Sequence, residues 1–402
     1  MLPTLLRRLL QFSRRLIVRV VLIAFCAFLA IVVAKLFGHY IPIGLKDRIG
    51  ADAVDRILSI IANSMLAVTT FSLTVMAASH RNASSQWTPR AHQVLLQDTT
   101  THTVLATFVG AYLYALNVII LRETDLIKGE ELVVFFFVTL GVVSLVVIAI
   151  IRWISHMEML GSLIETAQRI EDHAMDAYRM RCEHPTLGAR ELMGDGPDGV
   201  TEIAADSSGY IQQIYQDRLQ EEAEKADCQV YILRQVGAFV HRGEVLAKVT
   251  GDGEGCSEWI HENVSIGSLR NYTQDPGFGI LNLTEIGQRA LSPGINDPGT
   301  AVDMIRRVAR VLLSDKPEDE RETLYDRVYV RPLNRRLLVI DSIGAILRHG
   351  LQQPEVVTAA EQSLQALIRY GDPDLASAAR AVEAELRQKV PGTVESEAGL
   401  SA

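Results

Sequence analysis

The chain of 402 residues lacks the pieces that most site chemistry requires. Its four cysteines, Cys26, Cys182, Cys228 and Cys256, form no C-x-x-C pair, and no histidine stands at ligand spacing beside them. That excludes a structural zinc site. Cys26 lies in an apolar run and the other three in a charged half, so free thiols are expected rather than a disulfide framework. A basic surplus is missing as well: 39 Lys and Arg face 48 Asp and Glu, a net charge of −9. Without clustered cations nothing neutralises a phosphate backbone, which excludes nucleic acid as a partner.

Apolar residues concentrate before Trp153, and charge is denser after it. The pattern predicts a membrane α-helical domain over 16–153, with four transmembrane helices at about 16–37, 57–79, 103–121 and 132–151. A basic amphipathic lead, 1–15, carries Arg7, Arg8, Arg14 and Arg15 without an acid and suits an anionic inner leaflet. For 16–37 the alternative is a cleaved signal peptide. No small-x-small cleavage site precedes Lys35, which favours a retained helix. The lead, the 80–102 loop and the region after Arg152 share one side. Their Arg content makes that side the cytoplasm, with both termini in it. Lys46, Arg48 and Arg56 in the loop 38–56 weigh against this.

The second run, Ile57–Ser79, is uncharged yet polar. Ser59, Asn63, Thr70 and Thr74 fall on one helical face with Leu66 among them, while Ser64, Thr69 and Ser72 fall off it. In the third run Thr103, Thr107, Gly110, Tyr114 and Asn117 share a face. One reading is ordinary packing, in which small residues let helices approach and hydroxyls bond their own i−4 carbonyls. The other is a polar pathway lined by Ser59, Asn63, Leu66, Thr70, Thr74, Thr107, Tyr114 and Asn117, with Leu66 as an apolar constriction. Helices two and three then lie inside, and one and four face lipid. No Asp, Glu, Lys, Arg or His lies inside runs two to four as bounded above. This removes the usual relay of a proton-driven carrier and leaves passive conduction or plain packing.

The rest predicts a cytosolic α+β domain. A helical stalk, 155–182, places Met157, Leu160, Ile164, Ala167, Ala174 and Tyr178 in a heptad with Glu171 as the mismatch. A self-packing stalk and a helix packed on its own domain are both open, and the short run favours the second. Residues 201–255 read as a small barrel-sandwich-like β module, from Gly237-x-Phe239-Val240-x-x-Gly243-x-x-Leu246. The modifiable lysine of a swinging-arm carrier is missing. Residues 256–390 read as a helical part, with Arg327–Pro332 as one more strand and 391–402 as a disordered tail. Asp275-Pro276 and Asp297-Pro298 each open a helix, because Asp caps and Pro tolerates the first position. Gly251–Gly255 lacks the Lys-Ser/Thr of a P-loop and the spaced acids of an EF-hand. Neither cofactor nor metal is expected.

Three strings carry a resemblance: Ser84-Ser85-Gln86-Trp87-Thr88-Pro89-Arg90, Gln274-Asp275-Pro276-Gly277-Phe278-Gly279, and Arg289-Ala290-Leu291-Ser292-Pro293-Gly294-Ile295-Asn296-Asp297-Pro298. With them the chain resembles a bacterial family of predicted multi-pass membrane proteins known only as a domain of unknown function. The R-A-L-S-P-G-I-N-D-P string is the most specific part. The resemblance implies a bacterial inner-membrane protein with a cytosolic C-terminal domain and no assigned activity. Asp275, Phe278, Arg289, Ser292, Pro293, Gly294, Asn296, Asp297 and Pro298 form a motif that is structural or ligand-binding. A hydrolase with Ser292 as nucleophile is one alternative. No G-x-S-x-G surrounds Ser292 and no His follows before His349, so catalysis is not expected. The leading expectation is a homo-oligomeric, channel-like protein in the lipid bilayer, passing an ion or small ligand and regulated by its cytosolic domain. A non-conducting sensor or scaffold is the other alternative.

Overall fold

The structure is a computed structural model that describes residues 18, 20–25, 28–29, 32, 51–86, 88–91, 99–124, 131–159, 162–251, 255–315 and 323–389. Two compact units form, one from 1–86 and 92–163, the other from Trp87–Ala91 and Ile164–Ala402.

The first unit is a helix bundle: α1 (Ala51–Gln86), α2 (Thr99–Glu123) and α3 (Glu131–Met159). Among the described residues three helices are long and apolar enough to cross a membrane, at Val54–Ser79, Thr100–Glu123 and Val133–Met157. This corrects the expectation of four transmembrane helices. The run expected at 16–37 falls mostly outside the described residues, and its described part, at 18, 20–25, 28–29 and 32, is helical. The lead 1–15 and the tail 391–402 also lie outside the described residues.

Helix α2 is the centre of the bundle. Val104, Phe108, Ala111, Tyr114, Ala115 and Val118 are all buried. Helix α1 gives it one face, Val54, Leu58, Ile61 and Met65, at the three-to-four spacing of a helical stripe. Helix α3 gives Phe135, Val142, Val146 and Ala149. Asp55 pairs with Arg122 at 2.9 Å, and the Tyr114 hydroxyl meets Thr139 Oγ1 at 3.0 Å. Gly110 is a packing residue: a Cβ there would lie 2.7 Å from Ile23 Cβ, so a side chain cannot fit.

In the second unit α4 (Leu163–Glu183) precedes β1 (Ala189–Glu191), β2 (Thr201–Ala204), β3 (Gly209–Ile214) and α5 (Gln216–Lys225). Next come β4 (Val230–Ile232), β5 (Phe239–Val240), β6 (Val245–Val249), α6 (Cys256–Asn263) and β7 (Val264–Gly267). Helices α7 (Pro276–Ala290) and α8 (Pro298–Leu312) follow, then β8 (Tyr325–Val330). Four helices end the unit: α9 (Arg335–Ile340), α10 (Ile343–His349), α11 (Pro354–Tyr370) and α12 (Pro373–Lys389).

The strands make an open five-stranded sheet, β1-β8-β4-β6-β2, and a three-stranded sheet, β5-β3-β7. The barrel-sandwich expectation for 201–255 is therefore corrected, because among the described residues no sheet closes. Strands of that stretch divide between the two sheets, and β8, which overlaps the strand expected at Arg327–Pro332, pairs in parallel with β4. Parallel addition of β8 and β1 extends the edge that closure would have needed. Their shared core includes Ile211, Leu219, Ile232, Leu246 and Val328.

Helix α4 lies on its own unit. Ala167, Ala174 and Tyr178 are buried in it, while Ile164 is 71% exposed. Glu171, the heptad mismatch, is buried. Arg310 donates to both its oxygens, from Nε at 2.6 Å and Nη2 at 2.9 Å, and Arg307 Nη1 donates at 2.7 Å.

Candidate functional site

In α1 the residues Ser59, Asn63, Leu66, Thr70 and Thr74 are exposed, on the side opposite its packed stripe; Leu66 is 52% exposed. The hydroxyls of Thr70 and Thr74 turn inward on the helix backbone. Thr70 Oγ1 donates to Leu66 O (3.1 Å) and Ala67 O (2.9 Å), and Thr74 Oγ1 to Thr70 O (2.9 Å). The Asn63 carboxamide has no partner within the chain among the described residues. On α2 the polar residues point the other way. Thr107 is buried and bonds Thr103 O at 2.9 Å; Tyr114 is fully buried; Asn117 is half-buried. The two sets do not meet on one surface: α1 presents its column outward, and α2 is enclosed.

The last turns of α3 change one sequence-based statement. The span reaches Met157, so it includes His156, which is buried and lies 3.1 Å from Thr101 Oγ1. Arg152 and Trp153 look like a closing pair in the sequence, and the helix runs past them.

The 275–298 motif divides into two ends of one helix. Asp275 caps α7, accepting the Phe278 N–H at 3.2 Å, and both its oxygens accept from Arg270 at 2.7 and 2.8 Å. Gln274 ties this cap to β3, donating to Ile214 O (3.0 Å) and accepting from Ile214 N (2.9 Å). Phe278 is buried against Tyr272, whose hydroxyl accepts from Asn282 at 2.6 Å. Burial pushes that hydroxyl well above its usual range. Burial likewise pulls the Arg181 guanidinium down to about 10, with Asp275 acting against the shift.

At the other end Arg289 lies in the last turn of α7. The carbonyl of Ser292 accepts from Ile295 N (3.0 Å) and Asn296 N (2.9 Å), and Asn296 takes a left-handed φ of 50°. Asp297 caps α8, accepting Thr300 N at 3.1 Å and Thr300 Oγ1 at 2.6 Å, with Pro298 at the first helical position. Pro293, Gly294, Ile295, Asn296 and Asp297 are exposed. Asp275 and Asp297 stand at opposite ends of a 15-residue helix, so about 22 Å of α7 separates them. The motif forms a turn and two caps, not one joint pocket.

Hydrogen bonds from Thr300 hold the Asp297 carboxyl below its usual range. A depressed carboxyl stabilises the fold above the unfolded value, near pH 4, and loses that contribution as pH falls through the folded value. Asp297→Ala is expected to cost about 1 kcal/mol at pH 7. Thermal unfolding from pH 7 to pH 3 should show the gap to wild type closing at the acid end.

Three features were not foreseen. Glu171 with Arg307 and Arg310 is one; its signal was the charged break in an apolar heptad. A second is a cleft of about 520 Å³ beside β1, lined in part by Glu183, His184, Thr186, Arg190, Thr323 and Tyr329. Tyr329 stacks on Tyr231 at 4.4 Å, with the Arg190 guanidinium 5.9 Å from its ring. The third is the segment Trp87–Ala91, which follows α1 directly yet belongs to the second unit. Within that unit Thr88 and Ala91 are buried, and Arg90 donates to Glu285 on α7.

Helices able to cross a bilayer, joined in one chain to an α+β unit with two sheets, define a multi-pass membrane protein. Within that class the chain belongs to the family described as "Predicted membrane protein (DUF2254)", which matches residues 13–366. The resemblance drawn from the R-A-L-S-P-G-I-N-D-P string is thereby borne out. Similar proteins include an uncharacterized protein of Mycobacterium bovis and two of Mycobacterium tuberculosis strains. Each is 27% identical over 323 residues, covering 74% of this chain. The chain spans 60% of the length of these relatives. No solved structure matches it.

Proposed function

We propose that the protein is a homo-oligomeric, channel-like component of the bacterial inner membrane. Its pathway is lined by the outward column of α1, with α2 as the buried backing. The observation that carries this reading is the exposed Ser59, Asn63, Leu66, Thr70 and Thr74 on a membrane-length helix. The Thr70 and Thr74 hydroxyls tolerate lipid because they bond their own backbone. An unpartnered carboxamide does not, and α1 of a second copy, or water in a shared pathway, would satisfy it. The second unit is cytosolic in this reading, with Arg81, Arg90 and Arg152 at the inner end. It sets the state of the pathway through Trp87–Ala91, which continues from α1 and is held by Glu285.

Purified protein in planar bilayers is expected to pass current. Leu66→Ser should raise it and Asn63→Leu should lower it. Silence across ions and voltages, or a monomer in mild detergent, overturns the reading. The cleft beside β1 supports a second one, a non-conducting sensor whose ligand sits on Arg190 and Tyr329. Silent bilayers, with a ligand-induced rise in melting temperature that Arg190→Ala removes, would favour it.

A further inference from the structure

The hydroxyls that fall off the outward column are the ones the fold buries. Thr69 and Ser72 lie on the packed face of α1, Ser72 with no exposed surface. Thr69 donates to Met65 O at 2.6 Å. The Oγ atoms of Ser72 and Ser79 are buried and have no partner among the described residues, and the same holds for Trp153 Nε1. One turn on from Trp153, His156 is buried against Thr101, and its ring lies 6.2 Å from the indole.

These groups share one end of the bundle. Asp55 is level with Arg122, so an equal count along α1 and back along α2 brings Ser79 to the start of α2, beside Thr101. The Tyr114–Thr139 contact sets the same register for α2 and α3, which brings Thr101 level with the turn that carries Trp153 and His156. Ser72 lies two turns deeper, about 10 Å toward the middle of the span. Among the described side chains the nearby charged or titratable ones, Arg81 on α1, His102 on α2 and Arg152 on α3, are exposed rather than turned into this region.

Lone buried polar atoms are rare, and each asks for a partner. Here three lie in one bundle read as membrane-embedded, where an unmet hydrogen bond is most costly. Two hydroxyls and an indole N–H, next to an imidazole, offer the donors and acceptors that a few waters need. We propose that water enters the bundle at this end and reaches Ser72, forming an aqueous crevice lined by Ser72, Ser79, Thr101, Trp153 and His156. The crevice takes water and small neutral hydrogen-bonding solutes. It lies within one chain, on the opposite side of α1 from the outward column, and stands whether or not the protein conducts.

Full-length Ser72→Cys, Ser79→Cys and Ile148→Cys proteins in liposomes test it. Ile148 lies on α3, away from the outward column of α1, and is 53% exposed. Each is treated with a charged, membrane-impermeant methanethiosulfonate, and modification is read by mass spectrometry of the peptide that carries the new cysteine. Both serine sites are expected to react at least about tenfold faster than the Ile148 site, because thiol reactivity follows access to water. Ser72→Cys reacting no faster than Ile148→Cys overturns the proposal. Reaction confined to Ser79→Cys overturns penetration to Ser72. Should the cysteines disturb folding, Trp87→Phe with Trp259→Phe leaves Trp153 as the one indole. Its fluorescence should rise in D2O, and no rise means a dry bundle.

Discussion

Glu171→Ala is expected to lower the stability of the second unit by about 3–5 kcal/mol, the loss typical of a buried ion pair with one partner removed. Glu171 is 2% exposed, and the Arg307 that pairs with it is 7% exposed. The alanine leaves the Arg307 guanidinium in a dry site with Asp303 and Gln168 as its remaining partners, at 2.7 and 2.9 Å. Asp303 is half in water and screens poorly into the interior. Arg310 behaves differently, because 54% of its side chain is exposed. Arg310→Ala returns part of the site to solvent and should cost about 1 kcal/mol or less. Chemical denaturation of the three proteins, followed by the far-ultraviolet signal, checks the order. Equal losses for Glu171→Ala and Arg310→Ala would refute the reading that the Arg307 desolvation dominates.

Gly279→Val should be nearly as damaging. Helix α7 crosses α4 so closely here that a Cβ on residue 279 would lie 2.5 Å from Ala174 Cβ and 3.1 Å from its Cα. The obstacle is partly backbone, so no rotamer change relieves it. Replacing a helical glycine normally gains up to about 1 kcal/mol. Overpacking of a close helix crossing costs about 1–3 kcal/mol or more, and decides the sign. Ala174→Gly alone should be mildly destabilising. Gly279→Ala combined with Ala174→Gly should recover most of what Gly279→Ala loses, a coupling that a double-mutant cycle in thermal unfolding measures.

Local signals in the sequence survived best. Asp275-Pro276 and Asp297-Pro298 announced two helix starts because a cap depends on residues three apart. Apolar runs announced α1, α2 and α3, although Trp153 closed the last one too early and hid His156. Phase between elements was not legible. A helical wheel placed Asn63 and Asn117 on polar faces of their own helices, and nothing local says that one face turns out and the other in. Sheet order was hidden for the same reason: Arg190 pairs with Tyr329, and only the folded chain brings them together. The break of pattern at Glu171 was legible as an anomaly, but its two arginines lie far along the chain.

Five residues between α1 and α2 belong to the second unit, and this bears on how the molecule is made. During synthesis Trp87–Ala91 leaves the ribosome long before Glu285 does. Until α7 appears, Arg90 lacks its partner Glu285, and the second unit stays unfinished. The chain therefore cannot be cut into an anchor and a detachable C-terminal body without leaving a gap. A fragment beginning at Ile164 would leave Glu285 without Arg90, and a short peptide spanning 87–91 supplied in trans is what should restore the pair.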